Sequence, residues 1–239
     1  MLDGLSVFFP CYNEESNIVF VLDSAIQILP DIAKQFEIIV VDDGSQDQTA
    51  ALADAYSRRD SRVRLIRHDH NQGYGAALKT GFRSARLPWV FFTDADRQFD
   101  LSDLERLVPH TPSADIVAGY RLHRADPWYR LWNASLFALS LRIFMGLSAK
   151  DVNSAFKLYR RDIIQGLPLR TDGALINAEI LCRADRQGRR IVWVGVSHWP
   201  RRAGTPSGAK PRVILKAMIE FWILFFDLRS IKPLAKNKY

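Results

Sequence analysis

Apolar residues in the first 120 positions fall into two alternating kinds of run. Short continuous blocks, "LSVFFP", "FEIIVVDDGS", "RVRLIRH", "PWVFFTDAD" and "ADIVAGYRL", have the length and the β-branched or aromatic content of strands buried on both faces. Between them, "EESNIVFVLDSAIQIL", "QDQTAALADAYSRR", "YGAALKTGFRSAR" and "LSDLERLV" carry helical spacing. The first helix is expected to end before Pro30, and Ser45/Gln48 and Ser102/Glu105 have capping-box spacing at two helix starts. Strand–helix alternation with continuous apolar strands predicts an α/β fold, a mainly parallel sheet flanked by helices. No internal repeat and no low-complexity linker interrupts it.

The second half changes character. Residues 128–147, "WYRLWNASLFALSLRIFMGL", read as a helix apolar almost all round. "SAFKLYRRDII" follows, then a helix over "ALINAEILCRADRQG", a strand over "RIVWVGVSHW" and a basic loop, "PRRAGTPSGAKPR". The chain closes on a helix, "VILKAMIEFWILFFDL", and a cationic tail. The expected division is a catalytic domain over 1–211 and an amphipathic helix with basic tail over 212–239.

Ligands of parallel α/β sheets gather outside the carboxyl ends of the strands. Three such ends are acidic: "PCYNEE", "DDGS" and "DADRQ". If their strands are neighbours, Glu14, Asp42, Asp43, Asp94 and Asp96 meet on one rim and repel one another unless a cation or well-placed donors are present. Hard oxygen ligands suit Mg2+ or Mn2+, which commonly bridge a carboxylate to substrate phosphates. A lone D-x-D is often only a cap or a solvated turn. Its place after a buried strand, beside two other acidic turns, favours the metal.

The 239 residues carry a net charge of +7, which favours anionic partners such as phosphates or an acidic membrane surface. Cys11 and Cys182 lie far apart and form no zinc or disulfide pattern, the usage of a reduced, cytoplasmic protein. The N-terminus lacks the basic segment of a signal peptide, and no run reaches the length of a membrane span. No nucleic-acid-binding motif is present, so no nucleic-acid partner is expected. "NQGYGAALKTG" fails the dinucleotide fingerprint because Leu78 stands where the third glycine belongs. Gly73 and Gly75 either let a helix start pack beneath a nucleotide or make a tight turn. His68, Asp69 and His70 read as surface polar residues, since neighbours on a strand face opposite ways.

"FFPCYNEE", "VVDDGSQDQT", "NQGYGAALKTG" and "FTDADRQFD", in this order, resemble the family 2 glycosyltransferases of the GT-A (Rossmann-like) fold. The branch they resemble is the dolichol-phosphate mannose synthase-like, polyprenyl-phosphate glycosyltransferase group, over roughly residues 5–205. The resemblance implies a nucleotide pocket of Pro10, Tyr12, Asn13, Glu14, Asp42, Asp43, Asp94 and Ala95. It implies a metal held by Asp94, Asp96 and Gln98, and inversion at the anomeric carbon. Asp96, Arg121, Glu179 and Arg201 would carry the chemistry. Arg121, Ser154, Lys157, Arg201 and Arg202 would gather acceptor phosphate. The segment "DVNSAFKLYRR" departs from the group's pattern at Ala155, where glycine is usual, and at Lys157, where arginine is usual. An ammonium meets phosphate without the two-point geometry of a guanidinium.

The reaction so implied moves a sugar from a nucleoside diphosphate sugar, GDP- or UDP-linked, to a polyprenyl or dolichyl phosphate. A saccharide hydroxyl acceptor is the alternative, and would need a base, Glu179 or Asp100. Glu179 could instead pair with an arginine or be an exposed helix-face residue. A non-catalytic nucleotide-sugar-binding scaffold is the alternative of another class. On the last helix Arg212, Lys216, Glu220 and Asp227 form a narrow polar stripe beside a broad apolar face, followed by Arg229, Lys232, Lys236 and Lys238. That pairing suits an anionic bilayer surface, with residues 128–147 as a second interfacial helix or as a core or dimer element. The expected place is the cytoplasmic face of a membrane, held peripherally, with room for a separate membrane-anchoring subunit.

Overall fold

The computed structural model describes residues 1–122, 128–200 and 211–230, with the backbone alone at 128–131, 133, 211–214 and 230. Strands β1 (Leu5–Cys11), β2 (Phe36–Asp42), β3 (Val63–Arg67), β4 (Trp89–Thr93), β5 (Ile116–Arg121), β6 (Phe156–Arg160) and β7 (Ile191–Val196) form one sheet in the order β3-β2-β1-β4-β6-β5-β7. All pairings are parallel except those of β6, which runs antiparallel to both β4 and β5. This reversal matters for the site. The turn before an antiparallel strand lies at the rim where its parallel neighbours end, so residues 151–154 arrive beside the ends of β4 and β5.

Successive residues of β1 point into different cores, as a strand covered on both faces requires. Val7 and Phe9 join a cluster with Ile18, Leu22 and Leu29 of α1 (Ile18–Ile32), Ala53 of α2 (Thr49–Arg59) and Leu104 of α4 (Leu104–Leu107). Phe8 points the other way, to Leu78 and Phe82 of α3 (Tyr74–Ser84), Ile164 of α6 (Arg161–Gly166) and Ile180 of α7 (Ile176–Arg186). The Phe8 and Phe82 rings meet edge to face at 4.9 Å. A fully buried phenylalanine of this kind is worth about 1.5–3 kcal/mol.

A third apolar cluster joins α5 (Trp128–Ser140), the π-helical turn Leu141–Met145 that continues it, α7 and α8 (Pro211–Ser230). Here the acidic members of the α8 stripe, Glu220 and Asp227, face inward, while Lys216 stays exposed. Glu220 is buried and Asp227 half-buried, alongside buried Leu224 and Leu228. Asp227 accepts from Arg183 Nη2 at 2.6 Å and pairs with Arg170 at 2.7 Å. The opposite face of α8, with Met218, Ile219, Trp222, Ile223 and Phe226, is exposed. Trp132, Leu136, Leu139 and Ile143 of α5 and its π-turn are exposed too, and Phe144 joins the two surfaces by ring contact with Trp222 at 5.5 Å.

Three local expectations are corrected. Helix α1 runs through Pro30 to Ile32, because Pro30 sits in the last turn on the exposed side, where its missing N–H costs little. Ser45 does not cap α2; the Asp47 carboxylate accepts from Thr49 N at 2.9 Å. Ser102 does not cap the next helix; Asp100 does, accepting from Ser102 N at 2.9 Å at the start of a 3-10 turn.

Candidate active site

The loops after β1 and β2 are stitched together by their own polar groups. Asn13 takes the left-handed conformation (φ 56°), which asparagine tolerates. Its N–H donates to Ser45 Oγ at 2.9 Å, and its side-chain oxygen accepts from Gln46 N at 2.9 Å. Glu14 N donates to Thr49 Oγ1 at 2.8 Å, and Glu15 N to Asp47 Oδ2 at 3.1 Å. Asn13 is therefore an organiser of the rim. Pro10 is buried at the strand end, while Tyr12 stands 40% exposed beside it, an aromatic face turned to solvent.

Glu14, Asp42, Asp47 and Asp94 all lie near the Cys11 thiol at the end of β1, and its pKa is pushed well up, first by burial and then by these carboxylates. The expected gathering of acids is real, but protein donors relieve most of its repulsion. Asp42 accepts from Ser45 N at 3.2 Å and lies 3.3 Å from Arg67 Nε. The atom facing Arg67 is the buried Oδ2, so both carboxylate oxygens already have protein neighbours. Asp43 is consumed by the fold. It accepts from Gln72 N and Gly73 N at 2.9 Å each and bonds His68 Nδ1 at 2.7 Å. The His68 side chain is 9% exposed and its other nitrogen meets Thr80 Oγ1 at 2.9 Å, so it is no surface residue. Asp43 and His68 together hold the turn that enters α3.

Gly73 (φ 102°) and Gly75 serve a close approach between protein segments rather than to a nucleotide. A Cβ on Gly75 would lie 2.6 Å from the backbone carbon of Asp172, and Gly75 N donates to Asp172 O at 3.0 Å. Lys79 adds an ion pair with Asp172. The 170–173 segment is thereby pinned on the start of α3.

Strand β4 delivers Asp94, half-buried, and Asp96, buried, with Ala95 packed between them. Asp94 Oδ1 accepts from the Tyr74 hydroxyl at 3.0 Å, and Asp96 Oδ1 accepts from Gln98 N at 3.2 Å. The Gln98 amide nitrogen donates to Trp199 O at 3.3 Å, tying the loop to the segment that leads into the basic loop. Arg97 (φ 61°) lays its guanidinium on the Phe20 ring, 4.0 Å from the centroid. A cavity of about 230 Å3 lies between α1 and this loop, lined by Phe20, Asp94, Arg97, Asp100 and Trp199. Among the described residues no three His, Cys, Asp or Glu side chains are grouped to hold an ion by themselves. Asp94 and Asp96 offer hard carboxylate oxygens at the open end of a strand. Such a pair fits a divalent cation whose remaining ligands come from a diphosphate.

On the other side of the sheet, Arg121 and Asp151 form a two-point ion pair. Ser154 and Lys157 do not reach the rim: both are 0% exposed. Lys157 Nζ donates to Val152 O at 3.0 Å, to Ser154 O, and to Asn177 Oδ1 at 3.4 Å. It closes the 151–154 turn from beneath, so the expectation that these two side chains touch acceptor phosphate is corrected. Glu179 is 0% exposed and accepts from Arg170 N, Thr171 N, Thr171 Oγ1 and Arg183 Nε at 2.7–2.9 Å. A carboxylate so saturated positions the 170–173 segment and has no opening to act as a base. Asp100, the other candidate base, caps the turn through Oδ1, which accepts from Ser102 N and Oγ, while the residue itself is exposed and lines the cavity. Arg201 and Arg202 lie outside the described residues. Tyr74 and Asn177 escaped the sequence reading, since neither belongs to an acidic or basic motif.

The family model for glycosyl transferase family 2 matches residues 6–167. An undecaprenyl-phosphate 4-deoxy-4-formamido-L-arabinose transferase of Pseudomonas aeruginosa is 33% identical over 168 residues, 70% of this chain and 50% of that protein. The protein of the same description in Pseudomonas fluorescens is 30% identical over 212 residues, 88% of this chain and 62% of its own. The chain thus spans about half to three-fifths of the length of these curated relatives. Among solved structures, glucosyl-3-phosphoglycerate synthase from Mycobacterium tuberculosis, in complex with Mn2+, uridine diphosphate and phosphoglyceric acid, superimposes with a TM-score of 0.71 at 22% identity, covering 98% of this chain and 80% of that one. Its complex with UDP-glucose gives a TM-score of 0.74 at 19% identity, covering 94% and 80%. At such identity the likeness is one of fold, and the fold is GT-A.

Proposed function

The chain belongs to glycosyl transferase family 2, and on that premise we propose that it transfers a sugar, with inversion, from a nucleoside diphosphate sugar to a polyprenyl phosphate at a membrane surface. The observation that carries the reading is the rim itself. Asp94 and Asp96 end β4 between the stitched loops of β1 and β2 on one side and the Arg121–Asp151 pair on the other. Tyr12 offers a face for the base, beside Asp42 and its Arg67 partner. Mg2+ or Mn2+ held by Asp94 and Asp96 would neutralise the diphosphate as it leaves. The solved relative named above was crystallised with Mn2+ and UDP, which supports both the ion and the donor class.

A lipid phosphate is the acceptor the chemistry favours. Its oxygen is already an anion, so attack needs no general base, in keeping with the internal commitment of Glu179. The curated relatives are named as undecaprenyl-phosphate transferases. The exposed apolar faces of α5 and α8 supply a surface for a bilayer, and α5 with its π-turn occupies the chain between Arg121 and Asp151, on the acceptor side of the rim. No helix among the described residues is long and apolar enough to cross a membrane. We place it peripherally at the membrane, on the cytoplasmic face where nucleotide sugars are made, with or without an anchoring subunit. Arg201 and Arg202, in the basic loop after Trp199, are assigned to the phosphates on chemistry alone.

The test is transfer of labelled sugar from a panel of UDP- and GDP-sugars to polyprenyl phosphate in vesicles, with Mn2+ or Mg2+ present or chelated, and with Asp96→Ala as control. Metal-dependent label in the lipid from one donor, lost in the variant, establishes the reaction. Metal-dependent nucleotide release without lipid label moves the acceptor to a saccharide or other hydroxyl. Neither signal with any donor leaves only the binding scaffold.

A further inference from the structure

Tyr74 opens α3, outside every acidic motif, and its ring packs on the core beside Phe82 and Tyr159. Its hydroxyl is 3.0 Å from Asp94 Oδ1. The same tyrosine hydroxyl is within reach of the side-chain amide of Asn177, which is buried in α7. Asn177 Oδ1 in turn faces Lys157 Nζ at 3.4 Å, and Lys157 also holds the carbonyls of Val152 and Ser154. That turn carries Asp151, the partner of Arg121.

Donor and acceptor capacities order every proton along this line. While Lys157 is an ammonium it only donates, so the Asn177 oxygen faces it and the amide N–H₂ faces Tyr74. The tyrosine oxygen then accepts from Asn177, and its single proton goes to Asp94. In a low-dielectric interior such a one-way chain strengthens each of its members. It also fixes the orientation of the Asp94 carboxylate from behind.

We propose that Tyr74 is a positioning residue for Asp94, and that Asn177 and Lys157 behind it tie the metal-side acid to the turn carrying the Arg121–Asp151 pair. The proposal rests on Asp94 binding a divalent cation, as read above. Groups that orient a metal ligand from behind typically govern metal affinity by about 10–100-fold.

The experiment is titration of Mn2+ into the full chain with saturating UDP, followed by the loss of the free-ion electron paramagnetic resonance signal. Tyr74→Phe removes one hydroxyl and keeps the ring. Tyr159→Phe is the control, since the Tyr159 hydroxyl is buried in the same cluster and makes no hydrogen bond. We expect Tyr74→Phe to need about ten times more Mn2+, with unchanged thermal unfolding, and Tyr159→Phe to titrate like the parent. Asn177→Leu should weaken Mn2+ binding in the parent and add nothing in Tyr74→Phe. Parent-like titration of Tyr74→Phe overturns the proposal, and additive losses overturn the part played by Asn177. A parent chain that binds no Mn2+ even with UDP sinks the metal reading itself, and this proposal with it.

Discussion

Arg121 and Asp151 are joined at two points, Nε to Oδ2 at 2.7 Å and Nη2 to Oδ1 at 2.9 Å, and the chain between them makes the whole α5 excursion. The pair closes a loop of apolar surface onto the rim where the chemistry is proposed. Its side chains are only 13% and 7% exposed. Removing one partner leaves the other charge uncompensated, which costs about 3–5 kcal/mol for a buried pair. Asp151→Ala should lower the unfolding free energy by roughly 3 kcal/mol in denaturant titration. Arg121→Lys keeps the charge but loses the fork, and should lower transfer while donor and Mn2+ binding persist. Parent-like stability of Asp151→Ala would show that the pair is open in solution.

Glu179 separates two readings of the same helix. A general base is dispensable for folding; a carboxylate that holds four donors is not. Glu179→Gln should destabilise the chain by about 1–3 kcal/mol, because an amide cannot accept from all four donors, even though Arg183 keeps Asp227. Loss of transfer with unchanged stability would return Glu179 to catalysis and point to a hydroxyl acceptor.

Lys157 predicts a pH dependence. Burial pushes its ammonium down to about 7, with Asp151 pulling partly the other way. Above about pH 7 the folded chain has released this proton while the unfolded chain still binds it. Stability attributable to Lys157 therefore rises with pH, by at most about 1.4 kcal/mol per unit. Below about pH 7 both states are protonated and the slope vanishes. The useful window ends near pH 8.5, where the buried thiols Cys11 and Cys182 begin to titrate in the unfolded chain and reverse the trend. Unfolding of parent and Lys157→Met at pH 7.0, 7.75 and 8.5 should show a slope in the difference; a flat difference would place the pKa outside this window.

The outer face of α8 should carry membrane binding without touching the donor site. Ile219 and Trp222 are 55% and 46% exposed, whereas Glu220 and Asp227 dock the other face. Ile219→Glu/Trp222→Glu should abolish co-sedimentation with anionic vesicles and leave Mn2+–UDP binding intact. Continued co-sedimentation would assign the apolar face to a protein partner.

The order of apolar blocks was enough to determine an α/β sheet covered on both faces, because the strand and helix periods are written in consecutive residues. It also located the acidic strand ends, since "DDGS" and "DADRQ" follow apolar runs directly. What tertiary structure decided is where each polar group spends its bonds. Asp43 and Asp42 are neighbours in sequence, yet Asp43 is consumed by Gln72, Gly73 and His68 while Asp42 Oδ2 makes no hydrogen bond. Lys157 reads as a phosphate ligand until the antiparallel strand β6 places it opposite Phe92 and Ala118, under the turn it closes. Glu179, Tyr74 and the inward acids of α8 share the same cause. Apart from the i,i+4 pair of Glu179 with Arg183, their partners are about 20 to 50 residues distant along the chain or sit in the 170–173 segment, whose approach depends on Gly75, and no local pattern encodes such a contact.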